Sequence, residues 1–170
     1  MWSLPSLITS NLFSAVITNV AGYSTQAVIQ LTFAMALNLY NRIEYFDDYV
    51  KNGTYSKSNC FSCLDMIYPE IAGKTWGIIG MGAIGQKVAQ IATVFGCKVI
   101  CYSASGRTYE MPYKQVDFDT LLAESDILSI HAPLNEYTKD LMDYDAFCKM
   151  KESAYFINVG RGPIVVEEDL

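Results

Sequence analysis

The run of residues with the clearest chemical potential is a cluster of glycines near the middle of the 170-residue chain. It reads Gly80-Met81-Gly82-Ala83-Ile84-Gly85, which matches the pattern G-x-G-x-x-G. The cluster follows a predicted strand over residues 75–79 and opens a predicted helix that stops at Gly96. In that setting Gly80 permits a tight turn, Gly82 admits a pyrophosphate and Gly85 lets the helix pack closely. The helix start would face the phosphates, so a dinucleotide site is favoured over a plain glycine-rich turn.

A second test of the dinucleotide prediction falls at the end of the next predicted strand, over residues 98–102. An acidic residue there, about 20 positions after the glycines, binds the ribose 2′-hydroxyl of NAD. This chain has Ser103 at that place, with Arg107 shortly after it. Ser103 could hydrogen-bond the 2′-hydroxyl of NAD, whereas the missing carboxylate and a nearby guanidinium would suit the 2′-phosphate of NADP. The sequence therefore leaves NAD and NADP as alternatives.

A sheet and its covering helices must position these residues, and the hydrophobic pattern predicts both. Apolar runs predict strands over residues 75–79, 98–102, 126–130 and 154–158, and helical segments separate them, including residues 118–123 and 144–150. Strands that alternate with helices form a parallel sheet, and strands buried on both faces read as unbroken apolar runs. The predicted fold is α/β, a Rossmann-like doubly wound parallel sheet that is incomplete at its C-terminus.

Two helical stretches are predicted ahead of this sheet. Ser24 or Thr25 can cap a helix that reaches Asn41, and a second stretch runs to about Lys51. The apolar positions that recur at helical spacing in the first stretch are Ala27, Val28, Leu31, Ala34, Met35 and Leu39. Residues 54–73 are predicted to be a loop, because they show no clear period and are rich in turn-forming residues.

Several segments, in order, resemble one enzyme family. They are residues 19–25 with the following Thr32-Phe33-Ala34, residues 73–80, His131-Ala132-Pro133-Leu134 and Asn158-Val159-Gly160-Arg161-Gly162. Together they resemble the D-isomer-specific 2-hydroxyacid dehydrogenases over about residues 18–170. The resemblance implies a truncated dinucleotide-binding domain over residues 22–170, preceded by an unmatched segment over residues 1–21. It does not specify a substrate.

The resemblance also implies which residues contact the cofactor. On the pyrophosphate these are Gly80, Gly82, Ala83, Ile84 and Gly85, and on the adenosine ribose Ser103. Beyond the third predicted strand they are Ala132, Pro133 and Thr138, and near the nicotinamide they are Val159, Gly160 and Arg161. Val28 approaches the nicotinamide from the first helix.

Arg161 is the candidate catalytic residue. It follows the last predicted strand, at the edge where open α/β sheets bind ligands. A guanidinium can hold a 2-oxo acid carboxylate in a forked pair and can stabilise the keto oxygen as charge develops on it. The alternative is a loop arginine that binds a cofactor phosphate or joins a surface ion pair. The resemblance favours the substrate role.

The family's proton donor is a histidine held by a glutamate, both downstream of this arginine. The only histidine in the chain is His131, which the resemblance places near the cofactor, and the chain ends at Leu170. The family's front substrate domain is not recognisable either. The sequence is therefore expected to be an internal piece of a dehydrogenase for small D-2-hydroxy and 2-oxo acids. Alone, it should bind dinucleotide weakly and turn over negligibly.

Charge and cysteine usage restrict the partners and the compartment. The net charge is −6 with no basic patch, so nucleic acid and anionic membranes are disfavoured partners. Residues 1–41 carry no charge, but Pro5 and scattered polar residues argue against a signal peptide or a membrane span. The odd number of cysteines, 5, is typical of reduced thiols in the cytoplasm. Cys60 and Cys63 have the spacing of metal ligands, but a structural zinc site needs two more and the chain has one histidine, so no metal site is expected.

The sequence leaves two other functions open, and the resemblance bears on the oligomeric state. A non-catalytic NAD(P)-binding sensor or corepressor-like module could use the same fold. Another Rossmann enzyme, such as a homocysteine hydrolase or an alanine dehydrogenase, is disfavoured by the motif over residues 158–162. The resemblance implies a homodimer formed through the helices around residues 25–50, the alternative being that the first helix packs only on its own sheet.

Overall fold

The computed structural model describes Val20, residues 22–108 and residues 110–170. The expectations for the segment over residues 1–21, including the absence of a signal peptide or membrane span, fall almost entirely outside these residues. No helix within the described part is long and apolar enough to cross a membrane.

Five parallel strands form one sheet in the part of the chain that the structure describes. They are β1 (Thr75–Ile79), β2 (Lys98–Tyr102), β3 (Lys114–Gln115), β4 (Ile127–Ile130) and β5 (Tyr155–Asn158). Their order across the sheet is β3-β2-β1-β4-β5, and every neighbouring pair is parallel. The chain winds outward from β1 to one edge and then returns to β4 on the other side. This order confirms the predicted α/β fold and puts the topological switch point between β1 and β4.

Six α-helices accompany the sheet within the described residues. They are α1 (Thr25–Asn41), α2 (Ile43–Lys51), α3 (Thr54–Lys57), α4 (Ala83–Val94), α5 (Phe118–Glu124) and α6 (Tyr144–Lys149). Short 3₁₀ turns follow at Gly162–Ile164 and Glu167–Asp169. The predicted bounds of α1 and α2 are confirmed, while the short α3 lies inside the segment predicted to be a loop. Ser24 occupies the N-cap position of α1, but its side chain makes no capping hydrogen bond.

The buried face of α1 differs from the positions that predicted the helix. Ile29, Phe33, Ala36 and Tyr40 are buried against the sheet, whereas Leu31 remains 53% exposed. The Phe33 ring lies 4.9 Å from the Trp76 ring of β1, centroid to centroid. The helix is thus apolar on its outer side as well as on its inner side.

Two apolar cores flank the sheet, one on each face. Alternate strand residues point to opposite sides, so Ile78 belongs to the core under α1 and α4, while Ile79 belongs to the other core. That second core includes Leu121 and Leu122 of α5 and Ala146 of α6. Helices on both faces confirm the doubly wound arrangement.

Candidate functional site

A cavity of about 380 Å³ lies at the carboxyl ends of β4 and β5. Its walls are formed by Val28, Ile84, His131, Ala132, Pro133, Leu134, Val159, Gly160 and Arg161. Seven of the residues predicted to contact cofactor therefore come together here, from segments far apart in the chain. The cavity adjoins the switch point between β1 and β4, the place where open α/β sheets bind ligands.

The glycines of the turn after β1 are required by close packing. Gly80 has φ 93°, and a Cβ built on it would lie 2.7 Å from the backbone nitrogen of Ala132. A Cβ on Gly85 would lie 2.1 Å from the carbonyl oxygen of Gly80. These distances leave no room for a side chain, so the turn after β1 and the first turn of α4 are locked against each other and against the end of β4.

Gly82 has the opposite environment. A Cβ built on it would meet no atom within 4 Å, and its backbone is extended at the N-cap of α4. The first helical bond runs from Gln86 N to Gly82 O at 3.0 Å, so the amides of residues 83–85 have no helical carbonyl to bind. No acidic residue stands in this first turn. An open face beside free amide groups suits an anionic phosphate.

Ser103 follows β2 and is only 5% exposed. Its hydroxyl lies 3.4 Å from the hydroxyl of Ser105, which is exposed. Arg107 is exposed, and its backbone carbonyl accepts a hydrogen bond from the Gln115 side chain at 3.0 Å. Ser105, which was not among the predicted site residues, is the exposed member of this serine pair.

Thr138 is buried and holds the loop that follows β4. Its hydroxyl donates to Pro133 O at 2.6 Å and accepts from Asn135 N at 2.9 Å. The hydroxyl therefore shapes the loop that carries Pro133, and it is engaged by the protein itself. Its structural contribution to the cavity is indirect.

Arg161 stands exposed at the cavity, next to Gly160. Its Nη1 donates to Gly160 O at 2.9 Å, which leaves the other guanidinium N–H groups for a ligand. Asn158 fixes the backbone beneath it, donating to Arg161 O and accepting from Gly160 N, both at 3.0 Å. Asn158 belongs to the motif over residues 158–162, but the sequence alone gave no sign of this positioning role.

His131 forms part of the cavity wall and is uncharged. Its Nε2 lies 3.0 Å from Ser129 Oγ, and its Nδ1 is buried with no hydrogen-bond partner among the described residues. Burial lowers the pKa of His131 to about 4. A group with that pKa is neutral at physiological pH, so His131 is poorly suited to proton transfer there.

The described residues contain no cluster of three or more His, Cys, Asp or Glu side chains able to hold a metal ion. Cys60, Cys63, Cys97, Cys101 and Cys148 are all free thiols. Burial raises the pKa of Cys101, and burial together with the Asp126 charge raises the pKa of Cys97 to about 11. These two buried thiols behave as packing residues rather than as nucleophiles.

Comparison with known sequences gives a family match over most of the chain. The model of the D-isomer specific 2-hydroxyacid dehydrogenase NAD-binding domain matches residues 33–170. The hydroxypyruvate reductase of Thermotoga maritima is 35% identical over 152 residues, which are 89% of this chain and 48% of that protein. The chain thus spans about half the length of this curated relative.

Solved structures give the same result. The D-lactate dehydrogenase of Aquifex aeolicus, complexed with NAD and lactic acid, matches with a TM-score of 0.78 at 31% identity, covering 88% of this chain and 44% of that one. An acyclic imino acid reductase in complex with NADPH and D-Arg matches with a TM-score of 0.77 at 35% identity, covering 86% and 46%. One of these similar structures therefore holds NAD and the other NADPH.

Proposed function

The chain belongs to the D-isomer-specific 2-hydroxyacid dehydrogenases through their NAD-binding domain, and from this premise we propose that it is the cofactor-binding part of an oxidoreductase. The reaction moves a hydride between a nicotinamide and the second carbon of a small D-2-hydroxy or 2-oxo acid. The main support for this proposal is the cavity at the switch point, which is lined by Ile84 of the glycine motif and by Arg161. NAD or NADP supplies the hydride chemistry when bound, and the protein supplies orientation and electrostatics.

The cofactor seat that we propose has two parts. The first-turn amides of α4, with Ala83 and Ile84, bind the pyrophosphate across the open face of Gly82, while Gly80 and Gly85 keep the turn tight. The apolar walls of the cavity hold the nicotinamide ring and exclude water. These walls are Val28, Ala132, Pro133, Val159 and Gly160.

Arg161 binds the substrate in this proposal. Its uncommitted N–H groups form a forked pair with the carboxylate of the 2-oxo acid and stabilise the charge that develops on the keto oxygen. Hydroxypyruvate, on which the Thermotoga relative acts by name, belongs to this chemical class. His131 is not the general acid, because its low pKa keeps it neutral. We therefore expect negligible turnover from the 170-residue chain alone.

The cofactor choice rests on the segment after β2. Ser103 and Ser105 carry no charge that would repel a 2′-phosphate, and Arg107, two residues after Ser105, is exposed. Because Ser103 is buried, its hydroxyl can hydrogen-bond a ribose hydroxyl only if the ribose lies directly against it. NAD and NADP both fit this arrangement, and a thermal melt that compares NADH with NADPH distinguishes them.

A thermal melt with NADH, NADPH or no nucleotide tests the proposal. Binding to the folded form alone stabilises it by about 2.7 kcal/mol at a ligand concentration 100 times the Kd. Gly82→Val should abolish the shift without unfolding the chain, because open space surrounds that Cβ position. Gln90→Val, on the exposed side of the same helix, is the matched control and should keep the shift. A cooperative melt that neither nucleotide moves would contradict the proposal.

We also propose a homodimer formed through α1 and α2. Several of their large apolar side chains are exposed in the single chain, namely Leu31, Leu39, Ile43 and Val50, and so is Tyr55 of α3. Ile43, Val50 and Tyr55 line one cavity, and exposed apolar side chains on neighbouring helices are the kind of surface that a protein interface buries. Sedimentation of the purified chain at micromolar concentration should give the mass of two chains. We place the protein in the cytoplasm, where its free thiols stay reduced.

A further inference from the structure

Another cavity lies at the opposite end of the sheet from the cofactor cavity. Its volume is about 350 Å³, and it lies at the amino ends of β1, β4 and β5. The two cavities share no residue, because the strands run from one to the other. The polar part of its lining consists of Tyr40, Arg42, Lys74, Asp126, Glu152 and Ser153.

Charges of both signs line this cavity without pairing with one another. Arg42 and Glu152 form no ion pair with any described residue, and Lys74 acts on Asp126 only through its charge. The Asp126 carboxylate is already engaged, since it accepts from Lys151 Nζ at 2.9 Å and from the first backbone amide of β1 at 2.8 Å. The cavity therefore holds two cations and one uncommitted carboxylate apart from each other.

The backbone at Arg42 does not favour a large side chain. Arg42 lies between α1 and α2 with φ 52° and ψ 42°, a left-handed conformation that suits glycine or asparagine. Its N–H donates to Asn38 O, and its carbonyl accepts from Phe46 N at 3.3 Å. These two hydrogen bonds fix the turn between the helices, and the exposed guanidinium is thereby held at the cavity.

Tyr40 supplies a donor to the same cavity. The residue is only 2% exposed, and its hydroxyl makes no hydrogen bond to another described residue. Within the described chain, His131 Nδ1 is the one fully buried side-chain nitrogen or oxygen that lacks a partner. The Tyr40 hydroxyl is therefore not fully buried, and it is accessible from the cavity that Tyr40 lines. Burial and the Asp126 charge raise the pKa of Tyr40 to about 12, so the hydroxyl stays protonated and can donate.

We propose that this cavity binds a small zwitterion that carries one carboxylate and one ammonium group a few atoms apart. The carboxylate accepts from Arg42, Lys74 and the Tyr40 hydroxyl, and the ammonium group donates to Glu152. An anion alone would leave Glu152 unpaired and facing a like charge, and a cation alone would do the same to Arg42. This site is separate from the cofactor cavity, so the inference does not depend on the proposed function.

NMR titration of the ¹⁵N-labelled 170-residue chain tests the site. The probes are glycine, β-alanine and γ-aminobutyrate, in which the two charges lie progressively further apart. Propionate and ethylamine carry one charge each and serve as half-ligands. We expect at least one zwitterion to shift the amides of residues 40–44 and 152–155 with a Kd of about 1 mM, and both half-ligands to bind roughly tenfold more weakly or worse.

The amides of residues 80–85 serve as an internal control, because they form the glycine turn at the other end of the sheet. They should not move with any of the five probes. If none of the zwitterions shifts residues 40–44 and 152–155 at about 20 mM, the inference is wrong. Propionate binding as tightly as the zwitterions would overturn it as well, because the ammonium contact would then contribute nothing.

Arg42→Asn removes the guanidinium while suiting the left-handed backbone, so this variant should fold at least as stably as the parent chain. We expect it to bind the responding zwitterion roughly tenfold more weakly or worse. Lys87→Gln is the matched control, since it removes an exposed cation from α4 without touching this cavity, and its affinity should be unchanged. Parent-like affinity in Arg42→Asn would overturn the assignment.

Two further variants separate binding from packing. Glu152→Gln should weaken the zwitterion roughly tenfold and leave propionate unweakened, because only the ammonium contact is lost. Tyr40→Phe keeps the ring contact with Tyr155, at 4.9 Å between centroids, and should weaken both ligands about fivefold. Equal losses of zwitterion and propionate affinity in Glu152→Gln would show a structural effect only and would contradict the proposed contact.

Discussion

Single residues at this site divide into those that close packing fixes and those that a ligand would engage. Gly85 belongs to the first group, because its Cβ position is 2.1 Å from Gly80 O. We expect Gly85→Ala to lower the free energy of unfolding by about 3 kcal/mol, since the backbone must move to admit the methyl group. Urea unfolding measures this loss. Gly162→Ala, where no atom lies within 4 Å, is the control and should change little.

Arg161 belongs to the second group. We expect Arg161→Gln to weaken oxamate binding to the NADH-loaded chain by tenfold or more, because a charged hydrogen-bonded pair is lost. The oxamate affinity of Arg161→Lys should lie between those of the parent chain and Arg161→Gln, since lysine keeps the positive charge but cannot form the forked pair. Calorimetry gives both affinities. The stability of both variants should match the parent chain, because Arg161 is exposed and its side chain bonds only Gly160 O among the described residues. Unchanged oxamate affinity in Arg161→Gln would contradict the substrate role.

His131 links the site to the pH dependence of stability. Its pKa is about 4 in the folded chain, below the value of 6.5 for an unperturbed histidine. Between these two pKa values His131 is protonated in the unfolded chain but neutral in the folded chain. The free energy of unfolding therefore falls as the pH drops from about 6.5 to about 4. The full loss is about 3 kcal/mol.

Urea unfolding at a series of pH values measures this loss as a difference between the parent chain and His131→Asn. The variant should lack the decrease in stability between pH 6.5 and pH 4 but keep the decrease that carboxylates cause at lower pH. Asp126 is such a carboxylate: burial opposes its ionisation, but the Thr75 backbone amide and Lys151 together hold its pKa below the usual value. Parallel curves for the two proteins would show that His131 is not a buried neutral group.

At the scale of elements, the sequence predicted best where burial leaves a simple pattern. The bounds of β1 and β2 match the prediction, because each is an apolar run buried in the middle of the sheet. β3 was missed, because its two residues are exposed and polar and so give no apolar pattern. They form a strand only because they pair with Ile100 and Cys101 of β2. The buried face of α1 was equally unreadable, because Leu31 and Phe33 look alike in sequence and tertiary packing alone selects Phe33.

Helix caps separate two positions that the sequence makes look similar. Asp143 Oδ1 accepts from Ala146 N at 2.9 Å at the start of α6, whereas the Ser24 side chain makes no cap bond at the start of α1. We expect Asp143→Ala to cost about 1 kcal/mol of stability and Ser24→Ala to cost almost nothing. Chemical unfolding of the two variants tests this, and an equal loss in both would contradict the observed capping.

At the scale of the whole molecule, the cavity assembles as the parallel sheet dictates. The glycine turn and the segments after β4 and β5 meet because carboxyl ends of parallel strands share one edge, which the sequence could predict. The contact of His131 with Ser129, the hydrogen bond of Thr138 to Pro133 and the hydrogen bond of Asn158 to Arg161 depend on side-chain distances of 2.6–3.0 Å. Such distances have no signal in a single sequence.

The exposed apolar side chains of α1 and α2 allow the proposed homodimer to be tested by mutation. We expect Leu39→Glu combined with Ile43→Glu to convert a dimer to monomers, because charge cannot be buried unpaired at the interface. Val94→Glu, on α4 and 88% exposed, is the control and should leave the mass unchanged. Sedimentation equilibrium gives the masses, and a parent chain that is already monomeric at micromolar concentration would contradict the interface.

The strand order also sets the course of folding. β1 lies at the centre of the sheet, and its partner β4 comes late, with Thr75 N bonded to Asp126 across 51 residues of chain. Every strand pair of the described sheet is parallel, so this sheet contains no hairpin that could nucleate it, and contacts distant in sequence slow folding. During synthesis, the apolar β1 leaves the ribosome well before β4 exists to cover it. The central strand is therefore the segment for which a chaperone would compete during translation.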